Sequence, residues 1–197
     1  MYTRPHIQEQ EFRDARGEVI RYGSRWGLDG PPTETYSVRT HPERFAPLRL
    51  VAESLMDALD VQPAAAGSMF GRLDPGESSR FDPPNAGASP IVIAFTQFPG
   101  VRLRAGAHFV TAFPHCGCDA CDESVSDAID QLEQLVFAIV EGRFTESAEG
   151  NLVGHRITVD NGWSGGSSAP EMTPLEDASG NPLQPQPWAA WKRRIRD

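Results

Sequence analysis

The sequence predicts an α+β fold, a small antiparallel sheet with two main helices packed on one face, joined by long irregular loops. Three observations predict it. Two segments repeat apolar residues at helical spacing: Leu48, Val51, Ala52, Leu55 and Leu59, then Val125, Ala128, Ile129, Leu132, Leu135, Val136, Ile139 and Val140. Ile91 to Phe98 is apolar on both faces, as an interior strand is, and Val101, Leu103 and Ala105 alternate with Arg102 and Arg104. Seventeen Pro and eighteen Gly, with 39% hydrophobic residues, leave much of the chain to turns and polar segments.

Along the chain, residues 1–34 are polar and irregular, with a short strand at Gly17 to Gly23, a turn at Asp29-Gly30-Pro31-Pro32 and an extended piece from Thr35 to Val38. Thr40 and Glu43 have the spacing of a capping box, but Pro47 would clash with a preceding helical turn. A tight turn at 41–46 and a helix from Pro47, a good first helical residue, reconcile the two. Val61 to Pro90 holds five Pro and four Gly without periodicity and reads as a loop insertion.

Strands at 91–98 and 101–108 follow, turned by Pro99-Gly100 and close enough to pair antiparallel. A helix over 123–141 begins with Asp122 and Glu123, which suit its positive end, and stops at Gly142. Leu152 to Val159 is expected as a third strand of the same sheet, with both helices on one face. Asp160-Asn161-Gly162 is a hairpin signal, and Trp163 begins a return strand. The expected organisation is one domain over 1–164, with its insertion at 61–90. A Gly/Ser/Pro-rich tail over 165–197 follows, pinned to the body by Trp188 and Trp191.

Composition excludes several classes. The formal net charge of −9 disfavours nucleic acid, whose phosphates need clustered Lys and Arg. Cys116 to Gly150 holds nine acidic residues and one basic residue, Arg143, whereas Lys192-Arg193-Arg194-Ile195-Arg196 is locally basic. Both read as solvated charge runs. No apolar run reaches the length of a membrane span, and Met1 to Gln10 lacks the apolar core of a secretory signal. The expected compartment is the reducing cytoplasm, and three cysteines do not make a disulfide framework.

Two motif matches fail on context. Gly162-Trp163-Ser164-Gly165-Gly166 fits a nucleophile elbow, but Ser167-Ser168-Ala169-Pro170 follows instead of a helix, and no histidine lies beyond His155. Gly71 to Ser78 nearly matches a phosphate-binding loop, but Glu77 stands where the lysine belongs.

Cys116-Gly117-Cys118-Asp119-Ala120-Cys121 is different. Three thiols within six residues, ahead of a helix whose free N–H groups favour thiolate, fit a Zn²⁺ site that donates through sulfur at about 2.3 Å; thiols without a ligand or in an adventitious disulfide, and a catalytic or redox role, are the other readings of the cluster. His115 is the expected fourth ligand, with Asp119, Asp122, His41, His108 and His155 as alternatives. His41 also fits a capping role, His155 a core position, and Arg102 and Arg104 the wet face of a strand.

Four blocks resemble the signature of an uncharacterised actinobacterial family of unknown function. They are Tyr22-Gly23-Ser24-Arg25-Trp26, His41-Pro42-Glu43-Arg44-Phe45, Phe98-Pro99-Gly100-Val101-Arg102-Leu103-Arg104-Ala105-Gly106 and Cys116-Gly117-Cys118-Asp119-Ala120-Cys121-Asp122-Glu123. The resemblance spans Tyr22 to Trp163, implies one domain, and brings no activity or cofactor. The residues themselves point to a non-enzymatic cytoplasmic protein that binds another protein or a small molecule and carries a metal-stabilised cysteine loop. Rival readings are an enzyme using the thiolates or a zinc ion held by them, and an acidic inhibitor presenting Asp127, Asp130 and Glu133 to a basic partner.

Overall fold

A computed structural model describes residues 2–8, 10–59, 61, 63–65, 77–160 and 162–192. Strands β1 (Ala64–Ala65), β2 (Ser78–Phe81), β3 (Ile91–Phe95), β4 (Val101–Ala105) and β5 (Phe109–Phe113) form a five-stranded sheet in that order, each pair antiparallel. Strands β6 (Phe144–Glu149), β7 (Leu152–Val159) and β8 (Gly162–Ser168) form a separate three-stranded antiparallel sheet. The helices are α1 (Pro47–Ala58) and α2 (Val125–Val140).

The helices form where the apolar spacing places them. Pro42–Phe45 is a short 3-10 turn, and Pro47 opens α1, which buries Leu48, Val51, Ala52 and Leu55. Ser124 caps α2 by accepting the Asp127 N–H at 3.0 Å. Helix α2 ends at Gly142 (φ +73), with the Arg143 N–H returning to the Ala138 carbonyl. Strand β3 is buried on both faces. Ile91, Ile93 and Phe95 join the main core with α1 and α2, and Val92 and Ala94 join a second cluster under Leu175.

That second face differs from the sequence expectation. The C-terminal segment crosses it as a strap. The Leu175 N–H donates to the Ala107 carbonyl and the Leu183 N–H to the Leu175 carbonyl. The strap continues over β6 and the end of α2: the Trp188 N–H meets the Phe144 carbonyl and the Trp191 N–H the Val140 carbonyl. Trp188 and Trp191 are both buried, and the Trp191 indole donates to the Ser89 carbonyl at 2.9 Å. Arg104 is therefore 3% exposed and donates to the Thr173 carbonyl, so it is no solvated residue. Arg102 on the same face is half-buried.

Other expectations need correction. Leu152 to Val159 pairs with β6 and β8, not with β3 or β4, because the acidic β6 segment and the glycine-rich β8 segment supply nearer partners. Strand β3 stops at Phe95 and β4 at Ala105, where Gly106 (φ +60) turns the chain into β5. Ser78 to Phe81 is a strand inside the expected loop insertion, and residues 165–168 extend β8 into the expected tail. Ser164 lies in that exposed strand, opposite Ile157. Thr40 makes no helix cap; its hydroxyl goes to Asp119 at 2.7 Å. Most of the phosphate-loop near match, Asn161 of the hairpin signal and the basic run beyond Lys192 lie outside the described residues. Among the described residues, no helix is long and apolar enough to cross a membrane.

Candidate metal centre

The cysteine loop runs between β5 and α2, and protein contacts hold it from three directions. Glu123, just before α2, turns its carboxylate back onto the loop. It accepts the N–H groups of His115 at 2.7 Å and of Cys116 and Gly117 at 2.8 Å each. Burial pushes the Glu123 carboxyl up, but the His115 side chain and these N–H donors outweigh burial and hold it down at about 2. Gly117 (φ +72) lies under Phe98, and a Cβ there would come within 2.8 Å of the ring, so both shape and backbone require glycine.

The second hold comes from Thr35 to Thr40. Asp119 accepts the Thr40 N–H at 3.1 Å and the Thr40 hydroxyl at 2.7 Å, and its own N–H meets the Val38 carbonyl at 2.8 Å. The Ala120 N–H donates to the Thr35 carbonyl. The third hold is the segment from Tyr22 to Trp26. Asp122 accepts the Arg25 N–H at 2.8 Å and pairs with the Arg25 guanidinium, and its carbonyl accepts the Gly23 N–H at 2.7 Å. The Asp119 carbonyl takes the Arg25 guanidinium at 2.7 Å and the Trp26 indole at 3.0 Å. Buried Arg44 adds a bond to the Gly117 carbonyl at 3.3 Å and lies against the Tyr22 ring.

On this frame the three thiols converge. The ligand atoms of Cys116, Cys118 and Cys121 all lie within 4.8 Å of one another, and the Cys118 and Cys121 sulfurs are 3.4 Å apart. A tetrahedral zinc with Zn–S near 2.3 Å needs sulfurs about 3.8 Å apart, so a small adjustment seats the ion. Cys118 is buried; Cys116 and Cys121 are exposed. Burial alone would raise the Cys118 thiol, but hydrogen bonds from Cys116, Cys121 and Ser37 bring it down to about 7. The other two thiols push Cys121 up to about 12, Cys116 first, with burial adding to them. The cluster thus accepts one negative charge readily and resists another, the condition a bound cation reverses.

His115 stands outside this group of three. Its side chain is 57% exposed, and its Nδ1 lies 3.6 Å from Glu123, whose hydrogen bond raises the imidazole above its ordinary value. The alternatives are engaged elsewhere. His41 bonds the Arg13 carbonyl and Glu43, His108 the Met172 carbonyl, and His155 packs edge-on against Phe109. The acidic face of α2 is likewise taken up by the chain itself. Arg4 pairs with Asp130 and Glu133, the Tyr2 hydroxyl bonds Glu133, and Asp127 accepts from Ser124. Glu133 is 8% exposed, so it is no free carboxylate for a basic partner.

Sequence reasoning singled out the thiols and missed their frame. In the sequence Glu123 fits a charge at a helix end, Thr40 fits a capping box, and Arg25 and Trp26 stand out only as part of a block. The signal was present in the four blocks, since Tyr22–Trp26, the turn at Pro42–Phe45, Phe98 and the cysteine run all meet here.

The chain belongs to a family of unknown function, DUF6226, whose model matches residues 8–195. No curated protein and no solved structure matches the chain.

Proposed function

We propose that the protein is a non-enzymatic binding protein of a reducing compartment that holds one Zn²⁺ through the thiolates of Cys116, Cys118 and Cys121. The convergence of the three ligand atoms within 4.8 Å carries this reading. Thiolates suit a borderline-soft ion and disfavour magnesium and calcium, which take oxygen. Three anionic sulfurs also weaken the ion as a Lewis acid toward water, which disfavours hydrolytic chemistry. Cavities of about 580 Å³ beside Leu55 and Phe137 and about 680 Å³ beside His6 and Arg44 have no cysteine in their walls.

The frame around the loop changes what the metal is for. Glu123, Asp119 and Asp122 hold the loop backbone through hydrogen bonds to protein groups, which supports a loop shaped by the protein as well as by the ion. Elemental analysis of protein purified without chelator should give one zinc per chain. Cys118→Ser should lose the zinc yet keep the far-ultraviolet circular dichroism of the parent. Metal-free protein whose three thiols all react freely with a thiol reagent refutes the reading.

A further inference from the structure

The donors around the cysteine loop can be accounted for one by one. Both oxygens of Asp119 accept from Thr40, and both oxygens of Asp122 accept from Arg25. Both oxygens of Glu123 accept from the loop backbone. The His115 imidazole faces Glu123. Among the described residues, the only group of close metal donors is the three thiols, and two of those thiols face solvent. A tetrahedral ion held by these three sulfurs would have three protein ligands and a fourth position for another donor.

We propose that this fourth position takes an external thiol, bound as its thiolate. A metal already carrying three thiolates favours a fourth soft donor over water or a carboxylate. Coordination deprotonates a thiol outright. The metal–water bond breaks, the metal–sulfur bond forms, and the thiol proton leaves to solvent, with nothing oxidised or reduced. The protein then captures and ionises thiol-bearing small molecules, while its own thiolates stay fixed by the frame.

The external ligand presupposes the zinc site proposed above, and one experiment separates the two. Cobalt(II) is titrated anaerobically into the full chain, and its sulfur-to-metal charge-transfer absorption is followed. The probe 2-mercaptoethanol is then added, with acetate as the oxygen-donor control. The thiol should raise the charge-transfer intensity by about a third, one thiolate joining three. It should also release about one proton per bound cobalt, since the thiol is deprotonated on binding. Acetate should change nothing. Charge-transfer bands that ignore the thiol overturn the external ligand and leave the metal site standing. Absence of those bands overturns the metal site itself. His115→Ala, at an exposed position, should respond to thiol as the parent does. A response confined to that variant makes His115 the fourth ligand and overturns the proposal.

Discussion

Glu146→Ala tests the joint that ties the two sheets to the C-terminal strap. Glu146 sits in β6, is 3% exposed, and accepts four hydrogen bonds: Ala107 N–H at 2.6 Å, His108 and Phe109 N–H at 2.9 Å, and the Trp188 indole at 3.0 Å. It thus holds the turn between β4 and β5 and the strap at once. The fit is close: a Cβ on Gly106 would come within 2.1 Å of the carboxylate. His108 and Phe109 are half-buried, so water can reach their N–H groups after truncation. Ala107 and Trp188, at 0% and 3% exposure, are left with stranded donors. Each stranded donor costs about 1–3 kcal/mol, so the variant should lose about 4 kcal/mol, most of the margin of a marginal domain. Urea denaturation followed by tryptophan fluorescence measures it, with Leu152→Ala at a 48% exposed site as the control expected within about 0.5 kcal/mol. A loss below about 1 kcal/mol for Glu146→Ala means that the carboxylate does not bear the joint, and the reasoning fails.

Two further predictions rest on the same core. Leu132, 0% exposed at the centre of the α2 stripe, should cost about 2–5 kcal/mol as Leu132→Ala; a cost typical of surface sites in chemical denaturation would show that α2 is not packed as described. His155 gives a pH dependence: burial against β6 lowers its imidazole below the usual 6.5, with the Glu146 charge opposing in part. The unfolded chain therefore binds the proton first, so stability should fall as pH drops below 6.5. His155→Gln should flatten that limb between pH 7 and 5, and equal slopes in parent and variant would count against it.

Periodicity made part of the fold legible. The stripes of α1 and α2 and the apolar run of β3 each bury a face that alternation or helical spacing exposes in the sequence. Ser78–Phe81 and Phe144–Glu149 bury Phe81 and Phe144 but show no alternation long enough to mark a strand, and Gly162–Ser168 is legible only through the hairpin turn before it; β3 pairs with the first and β7 with the other two. Arg104 looked like a wet residue because its cover arrives from Thr173, far along the chain. The same distance hid the frame of the cysteine loop. Three thiols in six residues are visible locally, but Arg25 meets Asp122 across 97 residues and Thr40 meets Asp119 across 79. Glu146, in a segment that read only as acidic, became an anchor because four donors from elsewhere converge on it.

The strap also dictates an order of events during synthesis. Val92 and Ala94 are made early, yet their cover at Leu175 is made some eighty residues later. The Trp191 indole must return to Ser89 across 102 residues. A chain growing from its N-terminus can assemble α1, α2 and one face of the larger sheet while the opposite face stays bare. Closing so long a loop is slow, because its entropy is lost before its contacts form. Until Leu175 has been made, Val92 and Ala94 lack the side chain that covers them, so the strap closes the second face of the larger sheet only late in synthesis.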